Sequence, residues 1–151
     1  MGLQQILILL GIVAGGSFLS FWARRFDMSG FEIWLPFSIL IAYAVSPLAG
    51  LLVAISILAI SWALFPYQLH YIVIMIACLA ATLYSIGFFP LAKATFLQTA
   101  LLLTAIYNII SNIIMFFTGG NLFSIFKFFM LSMMMGWLIY SKVGWDFIML
   151  F

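Results

Sequence analysis

Thr104, Asn108, Ser111 and Asn112 recur at i, i+4, i+7 and i+8, the spacing that sets four hydrogen-bonding side chains on one stripe of an α-helix. Tyr107 flanks that stripe. In apolar surroundings a stripe of this kind either bonds a neighbouring helix, at about 1 kcal/mol per bond, or lines a polar pocket. Charge gathers elsewhere. The segment "WARRFDMSGFE" (22–32) holds Arg24, Arg25, Asp27 and Glu32, four of the eight charged side chains among 151 residues. Gln68 and His70 open a later apolar run, and Lys127 stands about one turn into another. The chemistry this set offers is recognition. Arg24, Arg25 and Lys127 suit an anionic group, while Gln68, Asn108 and Asn112 both donate and accept hydrogen bonds. A plainer account also fits: the cations pair with Asp27 and Glu32, Lys127 snorkels to an interface, and His70 bonds a neighbour. The residue types alone leave both open.

Bond-making chemistry finds no support. HExxH, GxSxG, a phosphate-binding glycine loop and a pair of intramembrane carboxylates are all missing from the sequence. His70 is the only histidine and Cys78 the only cysteine, so neither a metal set nor an intrachain disulfide is expected. No cofactor is implied. Five Lys and Arg residues without a basic patch give no means of neutralising a phosphate backbone, so nucleic acid is not an expected partner.

What must position these groups follows from the solvent. Hydrophobic residues make up 68% of the chain and charged ones 5%, and the mean hydropathy is +1.36. A water-soluble domain carries about a quarter charged residues. The expectation is a single transmembrane domain over residues 1–151, an all-α polytopic integral membrane helix bundle, since spanning segments must satisfy their own backbone hydrogen bonds. The composition predicts six helices, near residues 3–22, 32–46, 48–65, 67–89, 95–117 and 122–141. Pro, Gly or charge separates them in "ARRFDMSGFE", "SPLAG", "FPYQ", "FPLAKA" and "FTGGN". The first run ends in Arg24-Arg25 and lacks both a basic start and a small-residue cleavage pattern, so it reads as a span rather than a leader.

Helix two is the shortest. Ile33 to Ser46 would reach only about 21 Å, less than the roughly 30 Å of a hydrocarbon core. Residues 33–65 therefore read either as two short, tilted helices or as one helix kinked at Pro47. Two helices avoid a single rod that overshoots the bilayer. With six spans, both termini share face A, and the connections near 24–31, 65–67 and 118–121 share face B. Lys93 and Lys142 then fall on A, and Arg24 and Arg25 on B, a near tie that does not orient the protein. The polar groups named above converge on face B, as a small pocket opening there would require.

Gly11-x-x-x-Gly15 on helix one leaves a smooth face for close helix approach, serving either internal packing or partner docking. "WLPFSILIAYAVSPLAGLLVAISILAI" (34–60), with "GIVAGGSF" in helix one and "FPYQLHYIVIMIACLAATLYSIGFF" as a fourth helix, resembles the substrate-binding subunits of energy-coupling-factor transporters. The same superfold belongs to the rod-shape-determining membrane protein of the cell-wall elongation machinery, whose penultimate helix "FLQTALLLTAIYNIISNIIMFF" resembles. The transporter resemblance implies a non-enzymatic plasma-membrane subunit with cytoplasmic termini. Such a subunit captures a small molecule at face B, near Arg24, Arg25, Glu32, Gln68, His70, Asn108, Asn112 and Lys127, and docks through Gly11 and Gly15 on a coupling subunit. The alternative is a structural or assembly subunit of a larger membrane complex, contacting other subunits and lipid and needing no ligand.

Overall fold

A computed structural model describes residues 2–26, 28, 31, 33–66 and 68–151. Asp27 and Glu32 therefore lie outside the described residues. Among the described residues, five helices are long and apolar enough to cross a membrane. They are α1 (Leu3–Arg25), α3 (Pro47–Leu64), α4 (Leu69–Tyr84, extended by a 3₁₀ turn over Ser85–Phe88), α5 (Phe96–Phe117) and α6 (Leu122–Ile139). A π-helical segment over Tyr140–Gly144 carries α6 onward into α7 (Trp145–Ile148), so the last apolar rod runs to Ile148 rather than ending near residue 141.

The sixth element is of another kind. α2 (Trp34–Ala44) has 11 residues, about 16 Å of helix, and is the most enclosed in the bundle. Trp34, Leu35, Ile39, Leu40 and Ile41 are all at most 2% exposed. A helix that is apolar on nearly every face and has no exposed residue belongs in the interior. Residues 33–65 are thus two helices, as two short helices predict, but only α2 is short; α3 is a full-length rod. The 32–46 span expected from the sequence shrinks to a buried half-helix, because 11 residues cannot cross and are stable only where other helices surround them.

The hairpin joining α2 to α3 follows from local chemistry. Ser46 caps α3, its side chain accepting from the Ala49 amide at 3.1 Å, and Pro47 takes the first helical position, where it sacrifices no hydrogen bond. Gly50 then lets the two backbones approach, since a Cβ there would collide with the Ser38 carbonyl oxygen and the Ala42 methyl. Around this hairpin α1 packs on α3, α3 on α4, α4 on α5 and α5 on α6, and α2 touches all of them.

Four contacts fix the depth of α2. Its first residue meets Tyr107, midway along α5, edge-to-face with ring centroids 5.6 Å apart. Near its other end, the Tyr43 hydroxyl donates to the Phe89 carbonyl at 3.4 Å and its ring lies 6.3 Å from Phe96. Phe37 meets Phe147 of α7 at 5.5 Å. So α2 fills the half of the interior that also holds the chain termini, where Gln5 donates to the Phe151 carbonyl at 3.4 Å. Among the described residues, the opposite half has no central helix.

Polarity is distributed inside out. Leu7, Leu10, Phe88 and Phe117 face outward, whereas Ser17, Ser20, Ser38, Ser61, Thr82, Thr104, Asn108, Ser111 and Ser132 are buried. Ser17, Ser38 and Thr82 return their hydroxyls to carbonyls one turn back, at 2.7, 2.6 and 2.9 Å. That is how small polar groups are tolerated at helix contacts without water.

Candidate functional site

The interior half without a central helix contains a cavity of about 330 Å³. Arg24, at the end of α1, forms one part of its wall, and Tyr71 and Met75 from the first turns of α4 another. Asn112 and Met115 come from the last turns of α5, Gly119, Gly120 and Asn121 from the following turn, and Ser124, Ile125 and Phe128 from the start of α6. The end of α1, the start of α4 and the α5–α6 turn therefore meet at one end of the bundle, as the six-helix parity predicts for face B. α2 preserves that parity although it does not span.

The α5–α6 turn is shaped by its own sequence. The Gly119 amide donates to the Phe116 carbonyl at 3.2 Å and the Gly120 amide to the Met115 carbonyl at 2.8 Å, closing the end of α5. Gly119 has φ 96°, a left-handed conformation that costs glycine little. Asn121 then caps α6, its side-chain oxygen accepting from the Phe123 and Ser124 amides at 2.8 and 3.4 Å. Two glycines and an asparagine thus bring their backbone to the cavity mouth.

The polar stripe of α5 splits along its length. Thr104 Oγ1 bonds the Tyr140 hydroxyl at 2.9 Å. Asn108 Nδ2 donates to the Thr104 carbonyl at 2.8 Å and to Ser132 Oγ on α6 at 3.1 Å. Ser111 returns its hydroxyl to the Asn108 carbonyl at 3.3 Å. Asn108 thus ties α5 to α6 and Thr104 ties it to the π-helical segment beyond, while the Ser111 bond stays within α5. Asn112 has a different role: it is 7% exposed and lines the cavity, and its Oδ1, like that of Asn108, has no hydrogen-bond partner among the described residues. A buried acceptor without a donor costs about 1–3 kcal/mol.

Of the residues singled out from the sequence, Arg24 and Asn112 line the cavity. Asn108 lies a turn deeper and binds α6. Arg25 is exposed and does not line the wall, and Lys127 is half-buried on α6 away from it. Gln68 and His70 are exposed at the start of α4; the His70 ring packs on Tyr71 at 4.2 Å, and it is Tyr71 that faces the cavity. Glu32 lies outside the described residues. The physical reason for the shift is helical phase: one or two positions along α4 turn a side chain from the interior to the outside. Asn121 and Ser124 escape a search for charge, yet their spacing with Phe128 places all three on one side of the first turns of α6.

Gly11 and Gly15 do not serve internal packing. A Cβ built on either meets nothing within 4 Å, so both face away from the bundle. Their neighbour Gly16 packs inward, where a Cβ would press on Ile57 of α3 at 2.7 Å. No family model, curated protein or solved structure matches this chain.

Proposed function

We propose that this chain is a non-enzymatic, multi-pass subunit of the plasma membrane that captures a small molecule at the end of the bundle where Arg24, Asn112 and Asn121 meet. The observation that carries the reading is Asn112, a nearly buried side chain with an unsatisfied acceptor facing a cavity of about 330 Å³. Cavities of this size suit small ligands, and a few convergent polar groups in a largely apolar lining set orientation. A ligand O–H or N–H donating to Asn112 Oδ1 would relieve the cost of burying it. Met75, Met115, Ile125 and Phe128 supply apolar contact, and Arg24 places a permanent cation in the wall. The outward face at Gly11 and Gly15 supports docking on a partner helix, as in the transporter subunits that the sequence resembles.

Native mass spectrometry of protein extracted in mild detergent tests this directly. A bound small molecule should survive extraction and disappear in Asn112→Leu. Ligand-free protein from every membrane source, with a partner bound stoichiometrically, would instead favour the assembly-subunit reading. That alternative draws on the open Gly11/Gly15 face alone and leaves the cavity unexplained.

A further inference from the structure

Asn112 and Ile125 line two spaces at once. On their inner side is the cavity already described; on their outer side is a groove of about 350 Å³ between α5 and α6. The groove is otherwise apolar, walled by Ile113, Phe116, Leu122 and Phe129 among others. Several of these point out of the bundle: Phe116 is 50% and Leu122 68% exposed. The two spaces differ in chemistry. The inner one presents Arg24, Asn112, Asn121 and Ser124, whereas the groove has Asn112 as its only polar lining side chain among the described residues.

We infer that the ligand is an amphipathic lipid, an acyl or isoprenoid chain bearing a hydroxyl or N–H headgroup, which reaches the site sideways between α5 and α6. The inference rests on the binding role proposed above and names the class of its substrate. The headgroup sits in the inner cavity and donates to Asn112 Oδ1, and the chain lies in the groove outside Ile125. Chemistry favours this occupant over a fully water-soluble one. A groove of exposed Phe, Ile and Leu at this end of an apolar bundle excludes polar solutes and accepts a hydrocarbon chain. The polar side of the partition then meets Asn112 Oδ1, a buried carbonyl without a donor that lines the cavity; Asn108 Oδ1 also lacks a donor but lies a turn deeper, outside the wall. Asn112 lies on the boundary, where an amphipathic molecule changes from chain to headgroup.

The test uses the full chain reconstituted in phosphatidylcholine vesicles, with a monoacylglycerol carrying a diazirine in its acyl chain as the probe. The expected result is saturable photolabelling, competed by unlabelled monoacylglycerol, that maps to peptides covering residues 109–129. Leu122→Trp fills the groove from an exposed position that folding does not need, and should lower labelling there by about tenfold, as should Asn112→Leu from the other side of the wall. Uniform, unsaturable labelling of every outward helix face would overturn the inference, as would saturable labelling indifferent to Leu122→Trp. Native mass spectrometry on the same variants separates this failure from that of the binding role. A water-soluble ligand lost in Asn112→Leu but retained in Leu122→Trp would keep the role and reject the lipid.

Discussion

Asn108 donates to Ser132 across 3.1 Å, sealing α5 to α6 one turn below the cavity that Asn112 lines. The two asparagines belong to one stripe and carry the same amide. What separates them is the helix opposite: Ser132 stands across from the first, and a void from the second. This difference makes their substitution effects diverge.

Replacing Asn112 by leucine should leave thermal stability in detergent unchanged or raise it, because the variant removes an acceptor that has no donor. Retained ligand should be lost in the same variant. Gln68→Ala and His70→Ala, at exposed positions outside the cavity wall, should retain it. A marked fall in melting temperature for Asn112→Leu would show that its amide is bonded within the fold.

Asn108→Leu, by contrast, removes two donated hydrogen bonds and should destabilise the bundle. A double-mutant cycle with Ser132→Ala should return a coupling of about 0.5–2 kcal/mol, the range for hydrogen bonds between membrane helices. Zero coupling, measured by steric trapping or by unfolding in mixed micelles, would dissolve the proposed seam.

At the α2–α3 hairpin, Gly50→Ala drives a Cβ into the Ser38 carbonyl and Ala42, both on a helix with no room to retreat. Overpacking of this kind costs about 1–3 kcal/mol, so yield of monodisperse protein and melting temperature should both fall. Gly16→Ala meets the end of the flexible Ile57 side chain and should be milder. Equal effects at the two positions would contradict the close backbone approach.

Gly11→Leu and Gly15→Leu enter open space and should leave the melting temperature of the isolated chain unaltered. If α1 docks on a partner helix, the same variants should abolish co-purification of that partner. Retention of a stoichiometric partner by the double variant would move the docking surface elsewhere.

In a Cys78→Ala background, Arg25→Cys and Asn121→Cys should react with an impermeant thiol reagent from the same side of sealed vesicles, and Lys93→Cys from the other. Arg24 and Asn121 share one cavity wall, and Lys93 lies in the connection at the opposite end of α4. Reaction of Arg25→Cys and Asn121→Cys from opposite sides would break both the bundle parity and the site.

Much of this architecture follows from the chain read alone. The scarcity of charge sets an apolar solvent, that solvent demands helices, and Pro47, Gly119-Gly120 and Asn121 mark where they turn. The i, i+4, i+7, i+8 spacing of Thr104, Asn108, Ser111 and Asn112 places them on one face before any neighbour is known. Periodicity, however, gives only an angle around one helix axis. Which helix stands at that angle, and whether it offers a partner or leaves a gap, depends on packing between distant segments. Only the tertiary structure therefore distinguishes Asn108 from Asn112, brings Tyr71 rather than His70 to the cavity, turns Gly16 inward and Gly11 outward, and withdraws α2 into half of the interior. The vacated half is the cavity, and it arises because a helix of 11 residues is too short to fill the space that five longer ones enclose.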